Sequence, residues 1–128
     1  MSDEKKNERR IRLGDGSDTI VVMITCPADV AEKLAETLVE EQLAACVNII
    51  EGMQSVYRWE GKIQKDREAL LVVKTATSRY RNLESRTREI HPYSCPEIIA
   101  LQIADGFADY LRWIRAETNQ TSLGEEKR

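Results

Sequence analysis

A chain of 128 residues is long enough for one domain with a single core and too short for two comfortable ones. Hydrophobic residues make up 41% and charged residues 32%, which describes a soluble globular protein, and a formal net charge of −3 with no long basic cluster past the first dozen positions argues against a nucleic-acid surface. No apolar run approaches the roughly 18 residues of a membrane span. The charged N-terminus has no apolar signal-peptide core either, so the cytoplasm is the expected compartment. Cys26, Cys46 and Cys95 fit that setting: their number is odd, no two are closely spaced, and free thiols in a reducing compartment are the simple expectation.

In chain order, residues 1–18 are polar and cannot bury enough surface to offset ordering, so they are expected to form a flexible tail. Residues 19–26 (Thr-Ile-Val-Val-Met-Ile-Thr-Cys) are continuous, β-branched apolar sequence, the pattern of a central strand covered on both faces. Pro27 then suits a first helical turn, and Val30, Leu34 and Leu38 recur every four residues, predicting an amphipathic helix to about Gln42. From Ala44 to Thr75 the sequence reads as one long hairpin. Glu60-Gly61 is its turn, and Gly52 marks a bulge or bend in the first arm. Each arm is about fourteen residues, or about 46 Å at strand rise. A body of this size is only about 35 Å wide, so the tip is expected to overhang it and to need another chain for its apolar residues.

Residues 78–91 predict a second helix, with Tyr80, Leu83, Thr87 and Ile90 on one stripe, the arginines pointing elsewhere, and Pro92 as its stop. Residues 96–104 predict the last long strand, Phe107 to about Thr118 a short helix, and 119–128 a second flexible tail. One domain over 19–118 follows, of the α+β class, with a β-α-β-β-α-β order and a C-terminal helix. Right-handed crossovers place both crossover helices on one face of an antiparallel sheet, the ferredoxin-like architecture, and leave the other face open for self-association.

Several motifs occur together and in order: Thr25-Cys26-Pro27, Leu43-Ala44-Ala45-Cys46-Val47-Asn48, Tyr57-Arg58-Trp59-Glu60-Gly61-Lys62-Ile63, Lys74-Thr75, His91-Pro92-Tyr93 and Tyr110-Leu111-Arg112-Trp113. In this combination the chain resembles the CutA divalent-cation tolerance family over about Ile20 to Thr118. The resemblance implies a cytoplasmic ferredoxin-like subunit and a tight homotrimer assembled through the hairpins. It also implies a trimer shaped like the PII signalling proteins, with clefts between subunits, and a role in tolerance of divalent cations, copper above all.

Copper or another divalent metal directs attention to Cys and His. His91 is the only histidine, and with Cys26 it forms the expected metal pair. Ile90 stands where some family members carry a second His, and Cys26 is displaced by one residue from the cysteine such members use. Glu68, Lys74, Tyr93 and Cys46 are the candidate ligand-binding residues of a cleft. Val56, Tyr57, Trp59 and Ile63 are the candidate trimer contacts, with Trp59 expected opposite Lys62 and Tyr57 opposite Gln64. No nucleophile motif, phosphate loop or metalloprotease pattern is present, so catalysis is not expected. Two readings follow: a non-enzymatic homotrimer that binds divalent metal ions weakly, or a PII-like sensor that takes a small anion or metabolite in the intersubunit cleft.

Overall fold

The computed structural model describes residues 18–119. Strand β1 (Thr19–Cys26) leads into helix α1 (Ala28–Glu40), followed by strands β2 (Cys46–Trp59) and β3 (Lys62–Ala76). A 3-10 turn (Thr77–Arg79), helix α2 (Tyr80–Ile90), strand β4 (Ile98–Gln102) and helix α3 (Ala108–Glu117) complete the described chain. The expected tails fall outside the described residues, except for Asp18 and Asn119 at their inner ends.

The strands form one sheet in the order β2-β3-β1-β4, every neighbouring pair antiparallel. This is the split β-α-β duplication, so the ferredoxin-like α+β fold holds. Alternation along β1 puts Ile20, Val22, Ile24 and Cys26 on the same side as Leu71 and Val73 of β3. There they are buried with Ala31, Leu34 and Leu38 of α1 and Leu83 of α2, which makes one apolar core under both crossover helices. Helix α3 closes a smaller cluster, in which Leu111 and Ile114 pack on Ala45. On the opposite sheet face Val21 and Met23 remain half-buried, and Ile99 and Leu101 of β4 are exposed.

Two elements are shorter than the sequence suggests. Residues 77–79 turn as 3-10 before α2 begins at Tyr80. The last strand is confined to Ile98–Gln102, because its ladder to β1 runs only from Ile24↔Ile98 to Ile20↔Gln102, and Pro96 has no N–H to extend it. One arginine also departs from expectation: Arg79 is not on the solvated side but only 7% exposed.

The hairpin matches its predicted length, with arms of 14 and 15 residues. Glu60 and Gly61 both adopt left-handed backbone angles, φ 52° and 79°, as a two-residue turn of this twist requires. Gly52, at φ 78°, lies in a register shift: Ile50 pairs with Leu70, but the next paired residue, Met53, faces Glu68. Strand β2 therefore advances three residues while β3 advances two, and beyond the bulge its side chains exchange faces. Ser55, Tyr57 and Trp59 consequently share a face with Asp66 and Glu68. Val56 and Ile63 lie on the other face, 60% and 57% exposed.

An ideal Cβ on Gly52 meets nothing within 4 Å, so the cost of a side chain there is purely conformational. Gly52→Ala is expected to lower stability by about 1–2 kcal/mol in urea unfolding at fixed protein concentration. An unchanged midpoint would show that the bulge does not need a left-handed residue.

Candidate functional site

The bulge brings the outer hairpin over the segment that joins α2 to β4. Between them lies a cavity of about 570 Å³, lined on the hairpin side by Ser55, Val56, Tyr57, Trp59, Asp66 and Glu68. Thr25, Tyr93, Cys95 and Glu97 are among the residues on the other side. Two tyrosine–carboxylate pairs organise it. The Tyr93 hydroxyl donates to Glu68 Oε2 at 2.8 Å, and the Tyr57 hydroxyl donates to Asp66. Burial, and then the Glu68 carboxylate, push the Tyr93 hydroxyl well above the usual tyrosine range. The hydrogen bond to Asp66 raises that of Tyr57. Both hydroxyls therefore stay protonated and act as donors.

Glu68 is the unusual member. It is only 7% exposed, its one side-chain hydrogen bond is from Tyr93, and no Lys or Arg among the described residues forms an ion pair with it. The cavity lining contains three carboxylates, Asp66, Glu68 and Glu97, and no Lys, Arg or His. Asp66 and Glu97 are exposed, but Glu68 is buried, and a buried carboxylate is costly unless a counter-charge arrives, so the chemistry the cavity invites is that of a cation.

The expected cleft set divides. Glu68 and Tyr93 come together in direct contact. Lys74 and Cys46 pair with each other at the far end of the ladder, six residues from Glu68 along β3, or about 20 Å. Lys74 donates to Asn48 instead and does not line the cavity. The sequence reading missed Asp66 as a site residue. Its signal was the hairpin register, which puts Ser55 opposite Asp66 and Tyr57 one diagonal away.

His91 caps the C-terminal end of α2, almost fully buried. Its Nε2 lies 2.8 Å from the Thr25 carbonyl oxygen, which can only accept, so Nε2 carries the hydrogen. Its Nδ1 accepts from the Tyr93 backbone N–H at 3.1 Å. Both ring nitrogens are thus engaged by backbone, and the imidazole fastens β1 to the segment that presents Tyr93. Cys26 lies in the core on the opposite side of β1 from Thr25. Burial, with smaller contributions from Glu68 and Asp29, pushes its thiol up to about 11. Among the described residues no group of three or more His, Cys, Asp or Glu side chains stands ready to hold a metal ion. The displacement of Cys26 noted in the sequence has its physical consequence here: alternation turns its sulfur into the core and leaves the Thr25 side of the strand facing the cavity.

This geometry defines a small ferredoxin-like domain with an acidic cavity under its hairpin. The family described as CutA1 divalent ion tolerance protein matches residues 20–117, and the chain belongs to that family. The divalent-cation tolerance protein CutA of Thermus thermophilus is 52% identical over 99 residues, covering 77% of this chain and 96% of that one. A chloroplastic CutA protein of Arabidopsis thaliana is 46% identical over 84% of this chain, which spans 62% of its length. The solved Thermus thermophilus structure superposes with a TM-score of 0.77 over 79% of this chain and 99% of its own, at 50% identity.

The raised Cys26 thiol gives a signed pH dependence. An unfolded thiol ionises near 9.0, while the folded one keeps its proton to about 11, so the contribution is whole below 9 and is lost as pH rises through that interval. Unfolding free energy is expected to fall between about pH 9 and 11, and to fall less in Cys26→Ala. The tyrosines act in the same direction, so the difference between the two proteins isolates the thiol. Identical slopes would mean that Cys26 is not held protonated by the fold.

Proposed function

We propose that the protein is a non-enzymatic homotrimer of divalent-cation tolerance that binds metal ions weakly in the acidic cavity beneath its hairpin. The observation that carries this reading is Glu68, a buried carboxylate directed at a cavity with two further carboxylates and no basic side chain. Carboxylate, tyrosine and hydroxyl oxygens are hard donors and favour ions such as Mg²⁺ or Mn²⁺ over Cu(I). An ion held by one or two carboxylates with water completing its shell is held loosely, and that needs no preformed three-ligand cage. Copper enters this reading as Cu(II), held by the carboxylate oxygens of the lining. The His91 and Cys26 pair supports the metal reading less well, since the imidazole is spent on backbone partners and the thiol is buried.

The trimer is supported by apolar surface on both hairpin faces, Val56 and Ile63 on one and Tyr57 and Trp59 on the other, and by exposed Ile99 and Leu101 on the open sheet face. The three free thiols support a reducing compartment such as the cytoplasm. The small-anion, PII-like alternative is disfavoured by the three carboxylates an anion would meet.

Calorimetric titration of Mn²⁺, Zn²⁺ and Cu²⁺ into the wild type and Glu68→Gln tests the site. The variant is expected to lose about tenfold in affinity, equivalent to about 1.4 kcal/mol. Equal affinity would remove Glu68 from the site. Sedimentation equilibrium is expected to give three times the 14.6 kDa chain mass, and a mass near one chain would overturn the assembly.

A further inference from the structure

A second buried charge, of opposite sign, lies on the helix side of the sheet. Arg79, at the end of the 3-10 turn, is only 7% exposed, yet it makes one long hydrogen bond, from Nε to the Gln42 carbonyl oxygen at 3.4 Å. A guanidinium carries five N–H donors in a rigid fork. Among the described residues none of the others meets a carboxylate within ion-pair distance. The side chain lines a cavity of about 320 Å³ together with Glu41, Leu43, Asn82, Ser85, Arg86 and Glu89.

The two glutamates of that cavity do not serve Arg79, because Arg86 holds both. Its Nε and Nη2 each donate to Glu41 at 2.9 Å, and its Nη1 donates to Glu89 at 3.1 Å. This pairing keeps the Glu41 carboxyl below its ordinary range. The cavity is neutral overall, and Arg79 is the cation in it that no carboxylate pairs with. Along α2, Asn82 and Ser85 lie three residues apart on the face that lines the cavity, and they offer an amide and a hydroxyl beside the fork.

We propose that this cavity is a binding site for a small oxyanion, a carboxylate or a phosphoryl group, seated on Arg79 with Asn82 and Ser85 as further donors. Paired oxygens match the guanidinium fork, and the bond to Gln42 uses only one of its donors. The Glu41 and Glu89 carboxylates at the cavity limit the ligand to low charge, since a polyanion would be repelled by both. The site is independent of the acidic cavity, with which it shares no lining residue.

The test is titration of the full chain with sodium acetate and, separately, inorganic phosphate at constant ionic strength, read by calorimetry and by amide NMR shifts of Asn82 and Ser85. Saturable binding with a Kd on the order of 1 mM is expected for one of the two, with sodium chloride as the control. Saturation by acetate alone identifies a carboxylate ligand, and saturation by phosphate alone a phosphoryl one. Arg79→Gln keeps a donor for the Gln42 carbonyl but carries no charge, and is expected to bind at least about tenfold more weakly. Ser85→Glu leaves Arg79 in place and adds a carboxylate beside it, so it must also weaken binding if Arg79→Gln does not fold. The site is refuted if neither anion saturates beyond chloride, or if either folded variant binds as the wild type does.

Discussion

Everything beyond Ile50 on the hairpin depends on the single extra residue that β2 carries at Gly52. Up to that point the strand pairs so that odd-numbered residues of β2 face the helices along with Leu71 and Val73. Continued without interruption, the same register would put Gln54, Val56 and Arg58 on the Glu68 side and Tyr57 and Trp59 on the other. The bulge reverses this. It places two aromatic rings and a tyrosine hydroxyl over Asp66 and Glu68, and so it creates the cavity at all. Its local requirement is modest, a residue that tolerates φ 78°, and glycine meets it without a side-chain entropy or steric cost.

The inner fold and the two charged sites obey different rules. Under α1 and α2 the core is mainly apolar, with the Thr75 and Thr87 hydroxyls buried at its margin, and hydrophobic burial explains most of it. Among the described residues, Glu68 and Arg79 each sit at an edge of that core with a single side-chain hydrogen-bonding partner, Tyr93 and Gln42 respectively. One hydrogen bond to a neutral partner offsets only a part of the desolvation of a charged group. Neither residue is explained as a stabilising element, whereas Arg86, held between two glutamates at an exposed position, is an ordinary surface ion-pair cluster. The contrast separates the groups available for ligands from those already satisfied within the chain.

Much of the fold was legible in local sequence. The apolar run 19–26 gives β1 to the residue, the Glu60-Gly61 turn fixes the hairpin, and Gly52 marks the bulge. These signals are carried by residue type and period, which need no knowledge of distant chain. The last strand was overextended because Pro96 to Ala104 is apolar enough for a strand, while its real limit is the length of partner that β1 offers. The candidate site was half legible. Residue type points to Glu68 and Tyr93, but charge alone groups Lys74 with them, since it says nothing about the roughly 20 Å that strand rise puts between positions 68 and 74. Arg79 was hidden altogether. Its burial depends on the carbonyl of Gln42, 37 residues earlier, at the end of another helix.

On the proposed reading, assembly and cation binding use the same hairpin. A two-stranded ribbon is marginal by itself, and here both of its faces carry exposed apolar side chains toward the tip. Tyr57 and Trp59 hold their places over the acidic cavity only while the ribbon is held, and His91 fixes only the opposite wall, through Thr25 and Tyr93. On the trimer reading, the neighbour that covers Val56 and Ile63 is also what braces Tyr57 and Asp66 against Glu68. Cation binding and subunit association then favour one another through a common element, with no conformational signal carried across the core. The oxyanion site has no such dependence, since Arg79, Gln42 and α2 are all anchored in the body of the subunit.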